Sequence, residues 1–403
     1  MAGFFSVEDL KKSDNVLKRA ECLQCHLYQY VLSPKMEPFG KFKKRILNIG
    51  EAPGETEDKK GKQWQGVVGR RLQRQYRELG IDLFEDCLNI NAINCRPSDE
   101  NGNREPTNHE IDCCRQKVLK VIEQYEPHVI VVFGNAALQS ILGHRWPEAL
   151  GGIMKWRGWT IPDRDLNAWI CPVFHPSFVE KSGSEEVDVI WAQDLKQALS
   201  KVHAILPEYV NDKNCVEVID PIQLRIPMDE AIGAFDYETT GLKPHAAGHK
   251  IVCTSVCYNP IHVQVFMMPE KKRERQPFLQ FLKSPSVFKM AHNMKFENMW
   301  TEVRMRTKVS NWHWDSMLAA HLLDNRPGIT GLKFQTYVNF GVVDYASSIK
   351  PYLRSNDKEG NGFNKLVDPN VVATIKDELL EYCAMDSLYE YRLAMKQMEV
   401  MKW

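Results

Sequence analysis

The sequence predicts an α/β protein of two domains, on three observations. The first half carries short apolar runs that end in glycine turns and lead into helix-compatible stretches, as buried parallel strands feeding helices do. A second start appears at Ala231–Tyr237, an apolar run ending in carboxylates. The chain of 403 residues is long for one domain and fits two of about 200 residues each.

Taken in order, Arg45–Ile49 reads as a strand before the Pro53-Gly54 turn, and Val129–Phe133 as another before Gly134 and a helical segment. Helical spacing runs from Val187 to Ile205, and a polar stretch after Pro207 places a linker at 206–228. The first domain is therefore expected at 1–205 and the second at 229–403. Ile251–Tyr258 and Ile261–Met268 flank Asn259 and Pro260, a hairpin pattern. Helices are expected over Pro277–Leu282, Asp315–Leu323 and Val371–Met398, with a Gly/Asn-rich loop at 355–364.

Composition bounds the function class. Hydrophobic residues at 43% and charged residues at 26% match globular proteins and exclude a disordered or fibrous chain. No window offers about 20 consecutive apolar residues, and the N-terminus lacks a basic stretch followed by an apolar run. A cytoplasmic location with no membrane partner is expected. Lysine plus arginine equal aspartate plus glutamate at 52 each. That balance does not exclude DNA, because a basic groove and metal-binding carboxylates cancel in the total.

Eleven cysteines in a large chain without an export signal point to a reducing compartment with metal or cluster ligation rather than disulfides. Cys87, Cys171, Cys215, Cys253, Cys257 and Cys383 lie in apolar surroundings and read as small core hydrophobes. Cys22 and Cys25 form a C-x2-C pair, and Cys95 with Cys113-Cys114 supplies the other candidates for a four-thiolate site. Thiolates suit zinc and iron-sulfur clusters alike, so spacing alone leaves the metal open.

The remainder of the first half adds Gly50-Glu51-Ala52-Pro53-Gly54 after a strand, N-A-I-N-C-R-P from Asn91, Pro106-Thr107 with Glu110, V-I-V-V-F-G-N-A-A-L from Val129, and His175-Pro176-Ser177. With the cysteines, this run resembles the family 4 uracil-DNA glycosylases over most of residues 20–200. The resemblance implies a three-layer α/β/α fold with a parallel sheet and a [4Fe-4S] cluster on Cys22, Cys25, Cys95 and Cys114. Cys113 remains the alternative to Cys114, since the loop Ser98–Asn103 is longer than usual.

It also implies site roles. Base excision requires extruding a base, reading its edge and stabilising charge as the glycosidic bond breaks. Glu51 positions or activates water and faces a cationic sugar. The backbone of Gly50, Ala52, Pro53 and Gly54 approaches the base or phosphate. Trp64, where the family has phenylalanine, stacks on the flipped uracil. Asn91 pairs with the uracil O4 and N3–H edge. His175 donates to O2, and Ser177 completes the substrate-binding set. Trp64 and Gln65 depart from the family's Phe and apolar residue, which puts the pocket's selectivity in question.

In the second half, strand alternation puts Asp236 and Glu238 on one face, where two carboxylates repel unless divalent cations lie between them. His292-Asn293-Met294-Lys295-Phe296-Glu297 follows another apolar run, and Tyr382 and Asp386 share a helix face at i, i+4. The three segments resemble the motifs of the Tyr-containing DEDD exonucleases of family A DNA polymerases, over about residues 229–398. That resemblance implies a ribonuclease H-like fold with a mixed sheet and 3'-5' exonuclease activity. Asp236, Glu238, Glu297 and Asp386 would hold two Mg²⁺ or Mn²⁺ ions, with Tyr382 orienting the attacking water.

Glu297 stands where the family has aspartate, and Asp315 is an alternative carboxylate. Lys283, Lys289, Lys295, Arg304 and Arg306 are candidates for a DNA path. Expected partners are uracil-containing and 3'-ended DNA and a DNA polymerase. The chain is either a separate editing factor of phage type or the front of a longer polymerase.

Overall fold

A computed structural model describes residues 21–355 and 361–403. Part of the Gly/Asn-rich loop expected at 355–364 lies outside the described residues. The chain divides into two compact units, residues 1–207 with 337–343, and residues 208–336 with 344–403.

In the first unit, β1 (Ile46–Gly50), β2 (Cys87–Asn91), β5 (Val129–Phe133), β6 (Ile161–Asp163) and β7 (Ala168–Val173) form a sheet of order β2-β1-β5-β7-β6. All pairings are parallel except β6 with β7. Every residue of β1, β2, β5 and β7 is buried, as central strands require when both sheet faces are covered. The helices are α1 (Glu55–Lys60), α2 (Val67–Glu78), α3 (Asn108–Tyr125), α4 (Gly134–Leu142), α5 (Pro176–Ser182) and α6 (Glu185–Ser200). Leu72 and Tyr76 of α2 and Trp191 and Leu195 of α6 pack with Ile46, Val131 and Phe133 into the core. A capping box of Thr107 and Glu110 starts α3 and satisfies two otherwise orphaned amides. The long loop at Ser98–Asn103 folds as a small hairpin of β3 (Ser98–Asp99) and β4 (Gly102–Asn103).

The second unit is built on a mixed sheet of order β13-β12-β9-β10-β11-β8. Its strands are β8 (Val216–Val218), β9 (Ala231–Thr239), β10 (Ile251–Asn259), β11 (His262–Met267), β12 (Val287–Ala291) and β13 (Trp312–Asp315). The expected hairpin is β10 with β11, antiparallel. Residues 216–218, read as linker, instead add a parallel edge strand to β11. The Val-Glu-Val alternation suits that edge, and three residues are too short to register as a strand by pattern. Helices α7 (Gln276–Lys283), α8 (Met294–Trp300), α9 (Ser316–Leu323) and α11 (Lys376–Met401) complete the unit, together with the first residues, 332–336, of α10 (Leu332–Phe340). The long C-terminal helix starts at Lys376, a separate turn of helix covering Pro369–Thr374. Among the described residues, no helix is long and apolar enough to cross a membrane.

Candidate functional site

The first unit gathers its candidates at the C-terminal ends of parallel strands. Gly50 ends β1 and pairs with Asn91 at the end of β2. The backbone bonds Ala92 N–H to Gly50 O (2.8 Å) and Ile93 N–H to Glu51 O (3.0 Å) hold the two segments together. A Cβ on Gly50 would come within 3.0 Å of the Trp64 ring, so only glycine admits the indole there.

Trp64 is buried and packs against His175 (ring centroids 5.7 Å apart) and edge-on to Phe133 (5.4 Å). Its backbone has φ +59°, a conformation costing a bulky residue about 1–2 kcal/mol. Gln73 fixes it by donating to the Trp64 carbonyl (3.0 Å). The indole N–H finds no partner among the described residues.

His175 caps α5. Its Nδ1 accepts from the Ser177 amide (3.2 Å) and lies 2.6 Å from the Ser177 hydroxyl. Burial lowers its pKa to about 4, so the ring is neutral at pH 7. With Nδ1 accepting, the proton sits on Nε2, leaving a donor there. Gly134 makes room for this ring: its φ is +79°, and a Cβ would lie 3.0 Å from that of His175. Ser177, expected to touch substrate, is engaged with His175 instead. Glu51 is partly exposed, and its pKa is raised chiefly by burial and secondly by Glu105, against Lys181. Ala52 packs beside Cys25, Leu27 and Ile93, so the same turn borders the cysteine cluster.

Cys22, Cys25, Cys95, Cys113 and Cys114 line one cavity of about 240 Å³. Among the described residues, no three of these sulfurs lie within 4.8 Å of one another. Tetrahedral zinc at about 2.3 Å from each sulfur would draw them to about 3.8 Å apart. Thiols arranged around a cavity with no such close trio suit the larger frame of a polynuclear cluster. The Lys35 amide donates to Cys95 Sγ (3.2 Å) and the Asn94 side chain to Cys114 Sγ (3.6 Å), contacts that favour thiolates bearing cluster charge. Cys95 feels the charges of Cys114, Cys25 and Cys22, while burial raises its thiol to about 11. The six cysteines read as core hydrophobes are all buried.

In the second unit, Asp236, Glu238 and Asp386 offer oxygens all within 4.8 Å of one another. Alternation along β9 turns Phe235 and Tyr237 into the aromatic core with Phe278 and leaves Asp236 and Glu238 on the opposite face. The Ser255 hydroxyl on β10 donates to the Cys383 carbonyl (2.6 Å) and lies 2.6 Å from the Ser387 hydroxyl, locking α11 so that Asp386 meets the pair. Burial, then mutual repulsion, raises the Asp236 and Glu238 carboxyls well above the carboxylate range.

Glu297 is buried with Oε2 unpartnered. Its pKa is raised by burial and then by Asp236, but it lies outside the close trio. Tyr382 stands one turn before Asp386 with its ring facing Tyr345 (6.1 Å). Asp315 is a helix cap: its carboxylate accepts from the amides of Asn293 (3.2 Å), Met294 (3.0 Å), Met317 (3.0 Å) and Leu318 (3.2 Å), which leaves it little capacity for a cation. Lys289 is also not a DNA contact, being buried with its ammonium donating to Ser284 O (2.5 Å).

Three side chains at this site escaped the sequence reading. Lys333 pairs with Asp386 Oδ1, the Tyr345 hydroxyl donates to the same oxygen (2.7 Å), and buried Glu390 sits one turn after Asp386, bonded to Ser316. Glu390 alone carried a signal, its i+4 spacing from Asp386.

Residues 37–196 match the uracil DNA glycosylase superfamily. The chain belongs to the type-4 uracil-DNA glycosylase family through this part. It is 34% identical over 164 residues to the type-4 uracil-DNA glycosylase of Thermotoga maritima, covering 40% of this chain and 79% of that protein. A DNA polymerase of Bacillus phage SP01 is 25% identical over 334 residues, spanning 73% of this chain but 34% of the polymerase. Among solved structures, Brucella melitensis NrnC with bound Mg²⁺ aligns at 18% identity and a TM-score of 0.31, covering 46% of this chain and 81% of its own.

Proposed function

We propose that the chain is a dual DNA-processing enzyme. The first unit hydrolyses the N-glycosidic bond of uracil in DNA, and the second removes 3'-terminal nucleotides by two-metal phosphodiester hydrolysis. The observation that carries the dual reading is the meeting of Asp236, Glu238 and Asp386 in a chain whose other unit belongs to the type-4 glycosylases.

In the first unit, Asn91 reads the uracil edge and the His175 Nε2–H donates to O2 as negative charge develops there. Ser177 holds His175 in that tautomer. Glu51, ionised, orients water and stabilises a cationic sugar. Cys22, Cys25, Cys95 and Cys114 hold a [4Fe-4S] cluster, which braces the Gly50–Gly54 turn through the apolar contacts around Ala52.

In the second unit, Asp236, Glu238 and Asp386, with Glu297, would hold two Mg²⁺ or Mn²⁺ ions, whose chemistry there would be to activate water and neutralise the phosphate. Tyr382 orients the water. Likeness to a phage DNA polymerase supports a place in phage DNA replication or repair, with a polymerase as part of the same chain or as a partner.

The packing of Trp64 against His175 favours a second reading, in which the first unit senses uracil or binds DNA without excising the base. A 5'-labelled uracil-containing strand, incubated in EDTA and then with Mn²⁺, separates the two. Alkali-dependent cleavage at uracil in EDTA, lost in H175A, supports excision. Binding without abasic sites supports sensing. A metal-dependent ladder from the 3' end, lost in D236N, tests the exonuclease.

A further inference from the structure

The second site contains a cation of its own. The Lys333 ammonium pairs with Asp386 Oδ1 and lies 4.4 Å from the ring centres of both Tyr345 and Tyr382. The Tyr345 hydroxyl donates to that same carboxylate oxygen at 2.7 Å. Its charge also acts on Asp236 and Glu238. One Asp386 oxygen is thus held by an ammonium and a phenol, in the trio that also offers a divalent ion its ligands.

We propose that Lys333 is a positioning residue of the exonuclease site, an internal counter-cation that occupies the Asp386 oxygen when no divalent ion is bound and competes with divalent ions for it. This rests on the reading of Asp236, Glu238 and Asp386 as ion ligands. A divalent ion and an ammonium on one oxygen repel strongly at close range, so ion loading requires Lys333 to leave Asp386. The two ring faces retain the released ammonium beside Tyr382 through their quadrupoles. Lysine suits this exchange because its compact charge rides on a flexible stem, whereas a guanidinium would bind the carboxylate as a rigid fork.

The test is Mn²⁺ binding to the intact protein without DNA, read by electron paramagnetic resonance of free Mn²⁺. Lys333→Met is expected to bind Mn²⁺ about tenfold more tightly, and Lys333→Arg no more tightly than wild type. A lysine that merely braced the fold would give the opposite sign, since its loss would loosen the carboxylates. Unchanged or weakened binding in Lys333→Met, with an unaltered melting profile, overturns the inference. Lys333→Gln, which keeps a donor but no charge, replaces it if the methionine variant does not fold. Asp386→Asn checks the underlying reading separately. If it binds Mn²⁺ as wild type does, the metal site itself is wrong; if it loses binding while Lys333→Met shows no gain, only the role of Lys333 fails.

Discussion

At the scale of single residues, the first site turns on two side chains whose ionisation is set by burial. His175 is held down to about 4, so it acts as a neutral donor and contributes no titration near neutrality. Glu51 is shifted the other way, so its ionised form is reached only above the ordinary carboxylate range. Uracil release in EDTA should therefore rise with pH through the Glu51 pKa, with no further limb from His175 at about 6.5, the ordinary histidine range. Glu51→Gln should remove the rise; a climb at about 6.5 that persists in Glu51→Gln would show that His175 is protonated in the working range. Ser177→Ala removes the hydroxyl contact to His175 Nδ1 and leaves the amide one, so it should slow release by about 2–10-fold, the worth of one net hydrogen bond. Trp64 carries a separate prediction. Its ring packs against His175 at 5.7 Å between centroids, beside the donor that the proposed reading assigns to the flipped base. Trp64→Phe should speed single-turnover uracil release while costing about 1–3 kcal/mol of stability. Slower release from a folded Trp64→Phe would mean that the indole is a stacking partner and not an obstruction.

At the scale of elements, α11 concentrates buried acid against the second sheet. Burial raises Glu390 to about 8, and Asp236, Glu238 and Glu297 are raised as well. A carboxyl whose folded pKa exceeds its unfolded value binds more protons in the folded state, so its stabilising contribution is present below about pH 4.5 and is lost as pH rises through the folded value. In EDTA, the calorimetric transition that Mn²⁺ shifts should fall in temperature from about pH 5 to pH 8. Glu390→Gln should flatten that fall and add about 2 kcal/mol at pH 8; an unchanged slope would mean that Glu390 does not contribute. The sequence exposed β9 and α11 because apolar alternation and i, i+4 spacing mark carboxylates on one face. It exposed β1, β5 and the glycine turn for a similar reason, since buried strands running into tight turns leave a local pattern. Lys333 and Tyr345 left none: they reach Asp386 from α10 and the loop after it through tertiary packing alone. Asp315 was open by type alone, because a carboxylate that caps a helix looks in sequence like one that binds a metal, and its place at a helix pointed to the cap that the structure shows. The edge strand at 216–218 was hidden by its length.

At the scale of the whole chain, the proposed reading assigns one neutral sequence two chemistries that depend on different inorganic groups, so they should separate cleanly under chelation. The wide spacing of the cysteine sulfurs around their cavity predicts a brown protein absorbing near about 400 nm when prepared without oxygen. Cys95→Ser should lose that absorbance together with uracil release, because the apolar cluster that joins Cys95 to Ala52 also supports the Gly50–Gly54 turn. Removal of 3' nucleotides should persist in that variant, since Asp236, Glu238 and Asp386 are held by β9, β10 and α11 of the other unit. EDTA should give the reverse pattern: carboxylate-held ions exchange freely with chelator, whereas a thiolate-ligated cluster does not release its iron on that timescale. The two treatments together form a cross. If Cys95→Ser abolished both activities in a protein that remained folded, the exonuclease would depend on the glycosylase unit. If EDTA abolished both, the cavity would hold an exchangeable ion and not a cluster.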